Sequence, residues 1–181
     1  MRHLILALAL AAAPALAKEN WGVKMPDTLD VGGKALKLNG MGLRTKFIIR
    51  VYVAGLYVEN VGKDPVKIIA ADEAKSVKLS FLMNLEKDKI TEAISAGFEK
   101  NSKAQMPALK DRLAKFNAAI KDLKKGDELS FTYLPGTGTQ VKAPGVDLTL
   151  EGKDFYDALL STWLGKDPVH EGCKEGLLGK D

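Results

Sequence analysis

Residues 46–58, KFIIRVYVAGLYV, constrain the fold of this chain more than any other segment. Val, Ile, Tyr and Phe dominate it, the side chains that suit a pleated surface. Successive side chains of an unbroken strand point to opposite faces. Phe47, Ile49, Val51 and Val53 then share one face, and Ile48, Arg50, Tyr52, Ala54, Leu56 and Val58 the other. Both faces are largely apolar, which predicts a central strand covered on both sides. Gly55 in its middle marks a bulge or the close approach of another element.

The flanking patterns supply the other elements. Lys18 to Asp30 is polar and reads as a leader into the first strand. Lys34–Leu38 is a short strand that Asn39-Gly40, a strong hairpin signal, should end. A glycine-rich corner, Gly40-Met41-Gly42, follows, and residues 77–83 form another strand. Three segments then show the helical period. Asp88–Asn101 carries Ile90, Ala93, Ile94, Gly97 and Phe98 on one stripe. Pro107–Leu123 carries Leu109, Leu113, Phe116, Ile120 and Leu123, with Lys124-Lys125 suited to its C-terminal dipole and Gly126 to its cap. Gly152–Leu164 carries Phe155, Ala158, Leu159, Thr162 and Trp163. Between the last two, residues 128–134 and 147–150 are strands around a long loop, and a short helix at about Glu171–Leu178 closes the chain. Strands and helices in this order predict an α+β fold, a large antiparallel sheet with helices gathered on one face.

At 46% hydrophobic and 28% charged residues, the 181-residue chain is neither disordered nor fibrous. The net charge of +4 is small and dispersed, so no nucleic-acid partner is expected. Residues 1–17, MRHLILALALAAAPALA, have the basic start, short apolar run and Ala-x-Ala end of a signal peptide. Cleavage is expected after Ala17, with residues 18–181 as one exported, periplasmic domain. The apolar run is too short to span a bilayer, and no later segment reads as transmembrane.

Chemistry is sparse. Beyond the leader there is one histidine, His170, and one cysteine, Cys173, so neither a metal site nor an internal disulfide is expected. Cys173 lacks a histidine–acid pair and reads as incidental. Asp72-Glu73 and Asp127-Glu128 are adjacent pairs, which a strand would point to opposite faces. Gly40-Met41-Gly42 and Pro135-Gly136-Thr137-Gly138-Thr139 lack the context of nucleotide loops and read as turns. No cofactor is expected. Arg44 and Arg50 stand out, because an arginine in an apolar β-rich segment is costly to bury without a partner. The guanidinium fork binds carboxylates at two points. Tyr52 shares strand parity with Arg44, so its hydroxyl could support the same anion. On these patterns alone, solvent exposure or pairing with a structural acid such as Glu59 is the commoner outcome. The helix stripes could equally be core or line a pocket against the sheet.

The stretch LNGMGLRTKFIIRVYVAGLYVE, Leu38–Glu59, resembles the chalcone isomerase family, and within it the bacterial exported chalcone isomerase-like proteins. Residues 79–101 and 126–166 resemble the family's strand-then-helix segment and its late strands and helix. The resemblance implies an open-faced β-sandwich, a large antiparallel sheet with helices packed over one side. It matches Arg44 to the arginine of the plant isomerases. Their threonine position is occupied by Tyr52, and their tyrosine position falls near Glu86, with no tyrosine nearby. Thr162 falls near a Ser/Thr of the pocket helix. The related plastid fatty-acid-binding proteins use the same arginine and a tyrosine in the VYAxGxY strand to hold a lipid carboxylate. Here those positions are Arg44 and Tyr52. The resemblance therefore implies a non-catalytic domain that binds a fatty acid or other apolar carboxylate through Arg44, Tyr52 and Thr162. The alternatives are an intramolecular lyase acting on a chalcone-like phenol, and a structural or accessory protein without ligand.

Overall fold

The computed structural model describes residues 17–180. A two-stranded hairpin, β1 (Ala17–Asn20) and β2 (Val23–Pro26), opens the fold. A curled antiparallel sheet of seven strands follows: β3 (Thr28–Val31), β4 (Lys34–Lys46), β5 (Ile49–Val58), β6 (Lys75–Phe81), β7 (Glu128–Leu134), β8 (Gly138–Ala143) and β9 (Val146–Leu150). Each strand pairs with the next, so spatial order equals chain order. Helix α1 (Pro65–Ala70) lies between β5 and β6. Helix α2 (Lys87–Asn101), a 3₁₀ turn (Lys103–Gln105) and α3 (Met106–Ala119) lie between β6 and β7. After β9 come α4 (Lys153–Leu164) and α5 (Glu171–Leu177). This is the expected α+β architecture. The expected signal peptide, residues 1–17, lies outside the described residues except for Ala17.

Strand β5 separates two apolar clusters. Tyr52, Ala54, Leu56 and Val58 join the larger one, under Ile94 and Phe98 of α2, Phe116 of α3 and Phe155 and Trp163 of α4. Val53 and Tyr57 point the other way, against Met25 of β2, Leu36 and Met41. Burying each such side chain stabilises the fold by about 1.5–3 kcal/mol relative to exposure. The two-sided coverage predicted from the apolar pattern holds. Gly55 marks a close approach: a Cβ there would collide with the Met25 sulfur.

Several local expectations fail, each for a tertiary reason. The apolar run 46–58 is not one strand. It folds back at Phe47-Ile48, a two-residue turn between β4 and β5. Phe47 sits at φ +54°, in the left-handed region that favours glycine. An L residue there costs about 1–2 kcal/mol, so composition concealed the turn. Asn39-Gly40 is not a turn, because β4 runs through it with a register shift at Asn39. The Asn39 side chain instead donates to the Leu177 and Gly62 carbonyls, at 2.8 and 3.0 Å, and accepts from Gly62 N at 2.7 Å. Gly40 and Gly42 form a notch rather than a corner. A Cβ at either would meet the backbone carbonyl of Gly176 or Cys173 in α5.

Helix α3 ends at Ala119, and Leu123 bridges to Leu85 instead. Lys124-Lys125 therefore lead into β7 and cap nothing. The long loop after β7 contains strand β8, and the polar leader contains β1, β2 and β3.

Candidate functional site

Arg44 and Tyr52 meet across two strands, not along one. They are direct partners in the β4–β5 pairing, so their side chains leave the sheet on the same face. The next pair is Thr45 with Arg50, which leaves Val51 as a bulged residue. The Arg44 guanidinium carbon lies 5.5 Å from the centre of the Tyr52 ring, a cation–π distance. Tyr52 is itself 4% exposed and sits edge-on to Phe81.

Helix α4 supplies the other wall. Trp163 Nε1–H donates to the Tyr52 hydroxyl oxygen at 2.8 Å. That bond occupies an acceptor position and leaves the tyrosine O–H free to donate elsewhere. Burial pushes the Tyr52 pKa well above its ordinary value, and nearby Cys173 adds to this, while Arg44 and Trp163 offset part of it. Tyr52 is thus a neutral donor at physiological pH rather than a base. Thr162, one residue before Trp163, is 1% exposed, and its Oγ1 has no hydrogen-bond partner. Gly97 of α2 makes room for it, since a Cβ there would strike the Thr162 side chain.

Arg44, Tyr52, Thr162 and Trp163 line one inner cavity of about 20 Å³, walled by Leu79, Phe81 and Ile94 among others. That volume admits one water-sized group. Arg44, Leu85 and Ala93 also line an outer cleft of about 540 Å³. Its remaining wall is Phe47, Ile49, Val51 and Met83, with Lys46, Lys89 and Glu92. Arg44 therefore stands at the junction of a small polar-headed cavity and a large apolar cleft.

Of the two ordinary outcomes for Arg44 and Arg50, pairing with a structural acid is not seen among the described residues. Glu59 is engaged by Lys34 at 2.6 Å and by Ala74 N at 2.7 Å. The Lys34 hydrogen bond, with that of Ala74, holds its carboxyl below the usual range. Among the described residues no carboxylate lies within ion-pair distance of Arg44 or Arg50. Arg50 is exposed, beyond the hairpin turn. No group of three or more potential metal ligands occurs among the described residues. Cys173 is fully buried, and its N–H donates to His170 Nδ1 at 3.0 Å, so His170 caps α5. The other histidine nitrogen meets Thr45 Oγ1 at 3.0 Å. Nothing in the residues around Trp163 signals that it orients Tyr52. Its stripe position predicted only burial.

A curled seven-strand antiparallel sheet with helices over one face is a chalcone isomerase-like fold. The family model described as chalcone isomerase-like matches residues 17–179, and the chain belongs to that family. A solved structure of a fatty-acid binding protein from Arabidopsis thaliana superposes with a TM-score of 0.70 over 91% of this chain and 95% of that one. The two are 16% identical, so the likeness is one of fold. No curated protein matches the chain in sequence.

Proposed function

We propose that this protein binds a fatty acid or a similar apolar carboxylate without transforming it, as an exported periplasmic domain. One observation carries the reading. A guanidinium without an acid partner, a tyrosine O–H left free by Trp163 and an unpartnered Thr162 hydroxyl converge on one apolar-walled cavity. Such a set of donors suits one carboxylate oxygen in the inner cavity, with the second oxygen beside Arg44 at the cleft, and hydrogen bonds to a charged group contribute roughly 1.5–3 kcal/mol each. The outer cleft would take the hydrocarbon, at about 0.8 kcal/mol per buried CH₂. The Arabidopsis protein of the same fold is described as fatty-acid binding, which agrees with this reading. The leader of residues 1–17 supports export.

Native mass spectrometry of the purified protein, followed by organic extraction, tests the proposal. A co-purifying or added fatty acid should bind the wild type. Arg44→Ala should weaken binding roughly 10- to 100-fold while keeping the fold, the loss of one such charged hydrogen bond. Unchanged affinity in folded Arg44→Ala would overturn the site. Conversion of a chalcone faster than in buffer would favour the lyase reading instead.

A further inference from the structure

The outer cleft opens beside the β4–β5 turn, and the composition of that turn is unusual. Phe47 and Ile48 form its tip and are 93% and 96% exposed, with Ile49 52% exposed behind them. Phe47 also holds a left-handed backbone that a glycine would adopt at no cost. Phe47 edges the mouth of the cleft but, at 93% exposure, packs against no core residue that would recompense the strain. Strained backbone of this kind concentrates at functional positions.

Two exposed basic residues flank the tip. Lys46 precedes the two turn residues, and Arg50 follows Ile49, both exposed. On the facing rim of the cleft Lys89 is paired with Glu92 at 3.4 Å, which leaves Lys46 and Arg50 as the tip's own charges. A convex apolar point collared by basic side chains is complementary to an anionic lipid surface: the rings enter the acyl boundary and the ammonium and guanidinium groups meet phosphates. A stable protein interface needs about 20–30 residues a side, far more than three tip side chains offer. A fluid bilayer needs no matching pocket.

We propose that the Phe47–Ile48 turn docks the protein on the interface of an anionic phospholipid membrane, with Lys46 and Arg50 facing the headgroups and the cleft mouth held at the lipid surface. The proposal does not depend on what fills the cavity, and its test uses no added fatty acid.

The test is flotation with phosphatidylcholine vesicles, with and without equimolar phosphatidylglycerol. It uses residues 18–181, the chain expected after cleavage, which contain both apolar clusters, so the leader's apolar run cannot contribute. Each basic residue near an anionic surface adds about fivefold to binding, so the mixed vesicles should bind at least tenfold more tightly than phosphatidylcholine alone. The double variant Phe47→Asn/Ile48→Ser should lose at least tenfold in binding while keeping or raising the melting temperature, because asparagine tolerates the left-handed turn. Lys46→Glu/Arg50→Glu should abolish the preference for phosphatidylglycerol. The proposal is overturned if wild type fails to bind the mixed vesicles, or if the Phe47→Asn/Ile48→Ser variant binds them as wild type does. It is also overturned if sedimentation without lipid shows a dimer that this variant dissociates, which would make the tip a contact between copies of the chain.

Discussion

Lys75 is fully buried on β6, and its ammonium donates to three main-chain carbonyls, those of Ile68, Ile69 and Ala71, at 2.8, 3.1 and 2.6 Å. It thereby closes the C-terminal end of α1, where a positive charge also suits the exposed carbonyls. The rings of Tyr133 and Tyr156, whose centres are 5.4 Å apart, each lie 6.0 Å from it. Burial, followed by repulsion from Lys153, pushes the Lys75 pKa down to about 8, against partial compensation from Asp157, Glu73 and Asp72. The direction fixes the pH response. Between about 8 and the unfolded value of 10.5 the unfolded chain binds more protons than the folded one, so this group makes stability rise with pH. Below pH 8 both states carry the proton and the penalty for burying charge is fully present. Urea titrations at pH 7 to 10 should therefore show the wild type gaining stability relative to Lys75→Met as pH rises. A constant difference would mean that the ammonium titrates in the folded protein as it does in water.

At the scale of elements, the α5–β4 contact decides whether Arg44 is presented correctly. Three devices seat α5: the His170 cap at its start, the Asn39 hydrogen bond to Leu177 near its end, and the Gly40/Gly42 notch beneath it. Gly42 lies two residues before Arg44 on the same strand. Gly42→Ala must push the α5 backbone away, and overpacking of this kind costs about 1–3 kcal/mol. Gly62→Ala is the matched control, since a Cβ there meets nothing within 4 Å. Chemical denaturation should show the first variant destabilised by that amount and the second within about 0.5 kcal/mol of wild type, as for an ordinary surface change. Equal stabilities for the two would mean that α5 can lift from β4 without cost.

The whole molecule is two apolar clusters separated by one sheet, with the cleft at the edge of the larger cluster. Among the described residues no helix is long and apolar enough to cross a membrane. A ligand that fills the cleft and reaches Arg44 binds the folded state only. At a hundredfold excess over Kd, linkage adds about 2.7 kcal/mol, or a rise in Tm of about 5–10 °C for a chain of this size. Dodecanoate should produce such a shift, and dodecanol, which has the chain without the charge, a clearly smaller one. Equal shifts from acid and alcohol would show that the cleft reads hydrocarbon alone.

Local periodicity by itself determined the α+β class, because amphipathic stripes and two-sided apolar strands can be buried in few ways. The faces of α2 and α4 and the two-faced burial of β5 were legible on that ground. Local pattern around Arg44 favoured an exposed or acid-paired arginine, and it was the family resemblance that singled out Arg44 with Tyr52 as a candidate site. Tertiary structure decided the rest. Whether 46–58 is a strand or a turn depended on Phe47 tolerating a conformation that its side chain disfavours. Asn39-Gly40 became a notch because α5, more than a hundred residues later, occupies the space a turn would need. Trp163 became the group that orients Tyr52 through a contact 111 residues apart in the chain. Contacts of that range leave no trace in local pattern, because their energy comes from neighbours that only the folded chain brings together.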